Sequence, residues 1–293
     1  MKFCTRIFTN YYGVGRAATF LALILPFTVL VPGCGGAATD TEAAAPAPSA
    51  AESRAAPMPQ AAPEDPYVLP APARYRDARD AYIESRISGM SLEEKVTQLL
   101  VVALVSSDTG GPLTELDPLT ERRLEQLQPG GVVLYGGNVR SVPQLTGLIS
   151  GVQATARIPL FVAVDEEGGL VSRLRHLGPD VATHLPTAAT FGAAGDPLLS
   201  YRAGRALGTE LRALGFNLNF APVVDVATPE DNRFLDSRTY SGDPQVVSRL
   251  ATAFLRGLQN RGVSAAVKHF PGHGGAVDDS HYTTAAVDAS AER

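Results

Sequence analysis

The chain has 293 residues, 45% hydrophobic and 19% charged, with a formal net charge of −5; this is globular usage, and length enough for one large domain or two small ones. Lys and Arg are scattered and form no basic stripe along the sequence, which argues against nucleic acid as a partner. Cys4 and Cys34 are the only cysteines and both lie in the leader, which excludes a disulfide framework, a cysteine metal site and a cysteine nucleophile from the folded part.

The N-terminus reads as a targeting segment. Lys2, Arg6 and Arg16 supply positive charge, and residues 17–31 are an apolar run that fits a signal h-region and is short for a membrane span. The run ends in Val31-Pro32-Gly33-Cys34, close to a lipobox. Gly33 suits cleavage ahead of Cys34, whose thiol would then carry lipid. An ordinary signal with an incidental cysteine is the plainer alternative, but the cysteine sits where the cleavage site belongs. Residues 1–33 are therefore expected to be a lipoprotein signal peptide, and the chain to reside in the bacterial cell envelope, anchored to membrane through Cys34. Gly35 follows instead of Asp and gives no retention signal for the inner membrane, so which membrane holds the anchor stays open. Residues 34–74 are rich in Ala and Pro and lack aromatic residues over most of their length; they cannot bury enough surface to offset ordering entropy and read as a disordered linker.

From Tyr75 onwards the pattern alternates. Ser91-Leu92-Glu93-Glu94 is a capping box that opens a helix, followed by the apolar segment of a first strand. Residues 119–127 are helical and stop at Pro129-Gly130-Gly131. Residues 132–135 form a buried strand bounded by glycines. Residues 143–156 are helical, and residues 158–164 (IPLFVAV) form a continuous apolar strand that ends at Asp165-Glu166-Glu167. Residues 197–214 form the next helix, and residues 216–226 contain the next strand. Asp243 and Pro244 open a further helix as N-cap and first residue; Gly262 stops it, and residues 263–267 are the fifth strand.

Strands that are apolar throughout, separated by amphipathic helices, imply a parallel α/β sheet. Asp165, Asp225 and Lys268 each come just after a strand, at the mouth where a (β/α)8 TIM-type barrel collects its site. A doubly wound open sheet is the alternative, but the Gly-rich phosphate turn after its first strand is missing. About five strand–helix units are visible where a barrel needs eight, so residues 75–293 are expected to be a partial barrel and the sequence part of a longer chain.

Three constellations carry chemistry. The first is Lys268-His269-Phe270-Pro271-Gly272-His273-Gly274, followed by Asp279-Ser280-His281. Lys268 and His269 can donate to hydroxyl groups, and the Pro and Gly residues force an irregular loop. An Asp two residues before His281 can fix its tautomer and raise its basicity, the pairing that makes a general acid/base. A zinc site built from His269, His273, Asp279 and His281 is the rival; the Pro-Gly between the first two histidines takes them off a common helix face, and there is no HExxH pattern. The second constellation is Asp165 to Arg173: acids at a strand exit, Gly168-Gly169, then Arg173, suited to a polar pocket in which Asp165 accepts from two hydroxyls and Arg173 binds bidentately. The third comprises Asp225, facing the pocket or bracing it, and Arg238 in a polar loop. There is no tryptophan, so any platform for stacking a sugar has to come from Tyr or Phe.

Taken together, from Met90 to the end, these residues resemble glycoside hydrolase family 3, and the KHFPGHG run followed by DSH is similar to its β-N-acetylglucosaminidase branch. The resemblance implies that Asp165, Arg173, Arg238, Lys268 and His269 bind a terminal N-acetylglucosamine, that His281 is the general acid/base and that Asp279 orients it. It implies a retaining reaction without metal or other cofactor, in which a carboxylate attacks the anomeric carbon. That nucleophilic Asp is expected after a later strand, beyond Arg293, and no residue here matches it. Cell-wall fragments or chitooligosaccharides are the expected substrates. Two other classes remain: a non-catalytic sugar-binding lipoprotein, if the chain truly ends at 293, and a metal-dependent hydrolase, which would lose activity with chelator.

Overall fold

The computed structural model describes residues 73–106, 108–227 and 235–276, with positions 284 and 286. The described residues fall into two compact units divided between Ser85 and Arg86. The first holds most of helix α1 (Ala73–Ser88), whose side chains from residue 77 onward are exposed, Tyr82 included. Among the described residues the second unit begins at Arg86.

Helix α2 (Leu92–Thr97) starts at the capping box read from sequence: Glu94 N donates to Ser91 Oγ at 3.1 Å and Ser91 N to Glu94 Oε2 at 2.9 Å. Strand β1 (Val101–Ala103) follows, then helix α3 (Pro118–Leu127), capped by Asp117 with Pro118 at its first position. The stop of α3 differs in detail from the expected Pro-Gly-Gly. Gln128 itself adopts the left-handed conformation, φ 47°. Its side chain justifies the strain by donating to Thr155 O at 2.8 Å and accepting from Arg157 N at 2.8 Å. Gly130 and Gly131 have another function: a Cβ on Gly131 would lie 2.7 Å from Phe161 O, so they let β2 (Gly131–Leu134) start tight against its neighbour.

Helix α4 (Val142–Ala154), strand β3 (Phe161–Val164), the short helix α5 (Ala188–Ala194), helix α6 (Pro197–Leu214), strand β4 (Leu218–Asn219), helix α7 (Pro244–Gln259) and strand β5 (Ser264–Ala265) complete the unit. Helix α6 has the bounds expected from sequence; α5 was not expected. Strand β4 is shorter than its apolar run, and side-chain amides take over part of its pairing with β3. Asn217 accepts from Val162 N at 2.7 Å and donates to Leu160 O at 2.9 Å, while Asn219 accepts from Glu166 N at 3.0 Å and donates to Glu166 O at 2.8 Å.

All five strands are parallel, in the order β1-β2-β3-β4-β5. The order never reverses, so the described sheet lacks the switch point at which a doubly wound fold binds its ligand. With right-handed crossovers, consecutive order puts α3, α4, α6 and α7 on one face. The core lies beneath them: Val132, Leu134, Val162 and Val164 pack with Leu145, Leu148, Val152, Leu207, Leu211, Leu250, Phe254 and Leu258, all under 4% exposed. Helices α6 and α7 touch backbone to backbone, since a Cβ on Gly204 would lie 2.1 Å from Phe254 O and one on Gly257 2.4 Å from Tyr201 O. Among the described residues no helix is long and apolar enough to cross a membrane.

Candidate functional site

Parallel strands deliver their C-terminal residues to one edge of the sheet, and three exits meet there. Asp165, Glu166 and Glu167 leave β3; Pro222 to Asp225 extend β4; Lys268 extends β5 through a parallel bridge to Val223. In extended backbone, residues two apart share a face. Asp165 and Glu167 therefore face together, and Glu166 faces the other way.

Lys268 Nζ lies 2.7 Å from Asp165 Oδ1 and 2.5 Å from Glu167 Oε1. Arg238 clasps Glu167 with two parallel bonds, Nε to Oε2 and Nη2 to Oε1, each 2.9 Å. This fork geometry is the strong form of the ion pair. Arg173 Nη2 approaches Asp165 Oδ2 at 3.9 Å, and its Nε is buried without a hydrogen-bond partner among the described residues, a spare donor at the edge of the group. Glu167 is the most enclosed member, its side chain 7% exposed against 16% for Lys268 and 17% for Asp165 and Arg238. Burial by itself would lower the basicity of Arg238; the hydrogen bond and charge of Glu167 outweigh it and raise it. Tyr240, also buried, has its hydroxyl pushed upward by burial first and by the Glu167 charge second, so it stays protonated beside the carboxylate.

A second arrangement fixes His269. Asp225, whose side chain is fully buried, accepts from His269 Nδ1 at 2.6 Å, from His269 N at 3.2 Å and from His273 N at 2.5 Å. Burial works to raise the Asp225 carboxyl, but the bonds from His269 and His273 prevail and hold it below the ordinary carboxylate range. An ionised carboxylate only accepts, so Nδ1 carries the proton and Nε2 points to Arg238 Nη2, 3.4 Å away. The Lys268–His269 peptide bond on this loop is cis, as are Ala221–Pro222 and Phe270–Pro271.

The loop after β3 is held from inside. Glu166 accepts from Arg173 N at 2.7 Å and Leu174 N at 3.0 Å. Desolvation raises its carboxyl above the usual range, against the opposing hydrogen bonds of Ser172, Leu174 and Arg173. Gly168 and Gly169 sit at φ 91° and 56°, and a Cβ on Gly169 would meet Thr187 Cγ2 at 2.5 Å, so the turn that aims Arg173 admits only glycine there.

The structure thus gathers Asp165, Arg173, Arg238, Lys268 and His269 into one cluster, as their sequence motifs require. Asp225 is a brace for His269. Glu167 was missed as the hub of the cluster, although its i+2 relation to Asp165 at a strand exit was the available signal. Asp279, His281 and Cys34 lie outside the described residues. Of the four candidate zinc ligands only His269 and His273 are described; their rings meet edge-on at 5.8 Å, with Nδ1 of His269 committed to Asp225. Among the described residues no group of three or more His, Cys, Asp or Glu is placed to hold a metal ion.

Chemically, the cluster offers carboxylate acceptors beside charged donors in a partly desolvated setting, an arrangement for grasping neighbouring hydroxyls. Comparison with known proteins identifies the family. The family description "Glycosyl hydrolase family 3 N terminal domain" matches residues 91–293. The chain is 41% identical over 179 residues to a beta-hexosaminidase of Thioalkalivibrio sulfidiphilus, covering 59% of this chain and 49% of that protein. It is 39% identical over 178 residues to a beta-hexosaminidase of Stenotrophomonas maltophilia, covering 59% and 51%. In structure it is similar to a glycoside hydrolase family 3 beta-N-acetylglucosaminidase from Paenibacillus, with 35% identity and a TM-score of 0.59 over 66% of this chain and 35% of that one. It is also similar to NagZ from Neisseria gonorrhoeae, with 31% identity and a TM-score of 0.56 over 63% and 53%. The chain spans about half the length of these two curated relatives.

Proposed function

We propose a function for a chain that belongs to glycosyl hydrolase family 3: removal of terminal β-linked N-acetylglucosamine from cell-wall fragments or chitooligosaccharides, with retention of configuration. The observation that carries this reading is the cluster of Asp165, Glu167, Lys268, Arg238 and Asp225-braced His269 at three strand exits. The names of the similar proteins support it. Five parallel strands in consecutive order support an architecture of (β/α)8 type, whose working end is the end where these side chains collect.

In this proposal Asp165 accepts from adjacent sugar hydroxyls, while Lys268, Arg173 and His269 surround the same ring and Arg238 lines its edge. The existing ion pairs hold these groups in place before the sugar arrives, which reduces the ordering cost of binding. His281 protonates the leaving oxygen and then activates water, with Asp279 orienting its imidazole. The covalent route requires a nucleophilic carboxylate, a part assigned to no residue of this chain. We also propose that Cys34 carries lipid and anchors the protein in the cell envelope, as its place at the end of the apolar leader suggests.

The test uses the intact protein with an aryl β-N-acetylglucosaminide and the matching β-glucoside. Release from the first, little from the second and no loss with chelator are expected. His281→Ala should lower turnover by about 10²- to 10⁴-fold while binding of N-acetylglucosamine, followed by NMR, persists. A folded protein that ignores the aryl substrate overturns the glycosidase reading. Sugar binding without turnover would leave a sugar-binding lipoprotein.

A further inference from the structure

The arginines that look scattered in sequence are gathered by α6 and α7. On α6, Leu198, Arg202, Arg205, Thr209 and Arg212 are all exposed, and their spacing of four, three, four and three residues places them on one stripe of the helix. On α7, Gln245, Arg249 and Arg256 follow the same rule, with Arg249 exposed and Arg256 half-buried. The helices run side by side in backbone contact at Gly204 and Gly257, so the two stripes form one outer face. Arg261 joins it just past α7: a Cβ on Gly208 would lie 3.0 Å from Arg261 Cβ, and one on Gly262 3.9 Å from Arg212 Nε.

Acids are nearly missing from this face. The only one within α6 and α7 is Glu210, whose carboxylate is turned to Thr183, accepting from its N at 3.0 Å and its hydroxyl at 2.5 Å. Arg256 has an interaction of its own, so the case rests on Arg202, Arg205, Arg212, Arg249 and Arg261. Arg261 Nε is buried with no hydrogen-bond partner among the described residues. A chain with formal charge −5 therefore presents one predominantly cationic side, with the exposed N-cap carboxylates Asp196 and Asp243 at its head, built on two rigid helices of 18 and 16 residues, about 27 and 24 Å long.

We infer that the outer face of α6 and α7 docks the domain flat against an anionic phospholipid surface. This rests on the proposed anchor at Cys34: with lipid on Cys34, a linker of the Ala- and Pro-rich composition that follows it would keep the domain within some tens of ångströms of a bilayer, so weak charge attraction would operate at high effective concentration. Each arginine close to such a surface favours association about fivefold. Leu198, 51% exposed at the head of the stripe, adds an apolar contact.

The test is co-sedimentation of the full chain with vesicles of phosphatidylcholine alone and with added phosphatidylglycerol. The apolar leader and its positive residues act equally in every variant, so the comparison between variants isolates the helical face. Arg202→Glu, Arg205→Glu and Arg249→Glu together should cut the phosphatidylglycerol-dependent excess at least about tenfold, leaving binding to neutral vesicles and hydrolysis unchanged. The control Arg122→Glu on α3 should keep the excess. An undiminished excess in the triple variant overturns the proposal, and so does an equal loss in the control. If the triple variant fails to fold, Arg202→Gln and Arg249→Gln should each lower the excess several-fold, and no loss from either overturns it. Cys34→Ser reports the anchor separately, through lost partition into a detergent phase; the charge-dependent excess is read in that background too, so failure of the anchor and failure of the docking face are told apart.

Discussion

At the strand-start end of the sheet, neutral amides complete the backbone. Gln153 accepts from Leu160 N at 3.0 Å and donates to Leu160 O at 2.9 Å, Asn217 donates to the same Leu160 O, and Gln98 reaches Gln128 O at 3.0 Å. At the strand-exit end the same burial is spent on charges: Glu167 holds Lys268 and Arg238, and Asp225 holds His269. An amide that meets a peptide group satisfies it at little electrostatic cost. A buried ion pair gains little net stability, because desolvation opposes the attraction. Charges retained at such a site are therefore better explained by what they bind than by what they hold together, and the two ends should respond differently to substitution.

The largest effect is expected at the hub. Glu167→Ala strands Lys268 and Arg238 together in a partly desolvated site, which should cost about 3–5 kcal/mol of stability and lower kcat/KM by at least about 10³-fold. Denaturant melts and aryl-substrate kinetics would read both, and wild-type kinetics in the folded variant would erase the distinction between the ends. Asp225→Asn should cost about 10²-fold in kcat/KM, since the amide can reverse the His269 tautomer. It also has a pH signature. Because the Asp225 carboxyl is held below its ordinary range, its contribution is fully present above that range and is lost as pH falls through the folded value. The stability gap between wild type and Asp225→Asn should therefore be widest at neutral pH and close in acid.

Gln153→Ala sharpens the contrast from the other end. Leaving Leu160 N and O without their partner should cost about 1–3 kcal/mol, seen as a lower melting midpoint, while KM for the aryl substrate stays unchanged. Glu166→Gln should be the mildest, within about 1 kcal/mol, because the amide oxygen can still accept from Arg173 N and Leu174 N. Its sign is opposite to that of Asp225. The raised Glu166 carboxyl favours the fold below its ordinary range, and that advantage disappears as pH rises through the folded value. Glu166→Gln should thus look relatively better at neutral pH than in acid.

Much of this was legible along the chain. Ser91 and Glu94 and Asp243 with Pro244 announce helix starts by local hydrogen-bonding alone, and the structure bears out both; the cap of α3 by Asp117 came from the structure. Runs such as residues 158–164 declared buried parallel strands, and Asp165 and Lys268 were recognisable because a charge directly after such a strand has one place to go. The short helix α5 was not legible: Ala188-Ala189-Thr190-Phe191-Gly192 has little periodicity, and Gly192 is there because Tyr240 O leaves no room for a Cβ, which would lie 1.7 Å away. The left-handed Gln128 was hidden for a similar reason, its partners Thr155 and Arg157 being 27 and 29 residues away.

By itself, then, the sequence determined the alternation of strands and helices, the capping residues that bound them and the inventory of side chains at the strand exits, because these follow from interactions between near neighbours and from burial of apolar faces. Only the tertiary structure decided which charges meet. Lys268 and Asp165 are 103 positions apart and Arg238 and Glu167 are 71 apart, and no local rule pairs them. Parallel crossovers bring every strand exit to one edge and set α6 beside α7 at glycine contacts. The same geometry that concentrates paired charges at the mouth also lines up arginines on the outer helices.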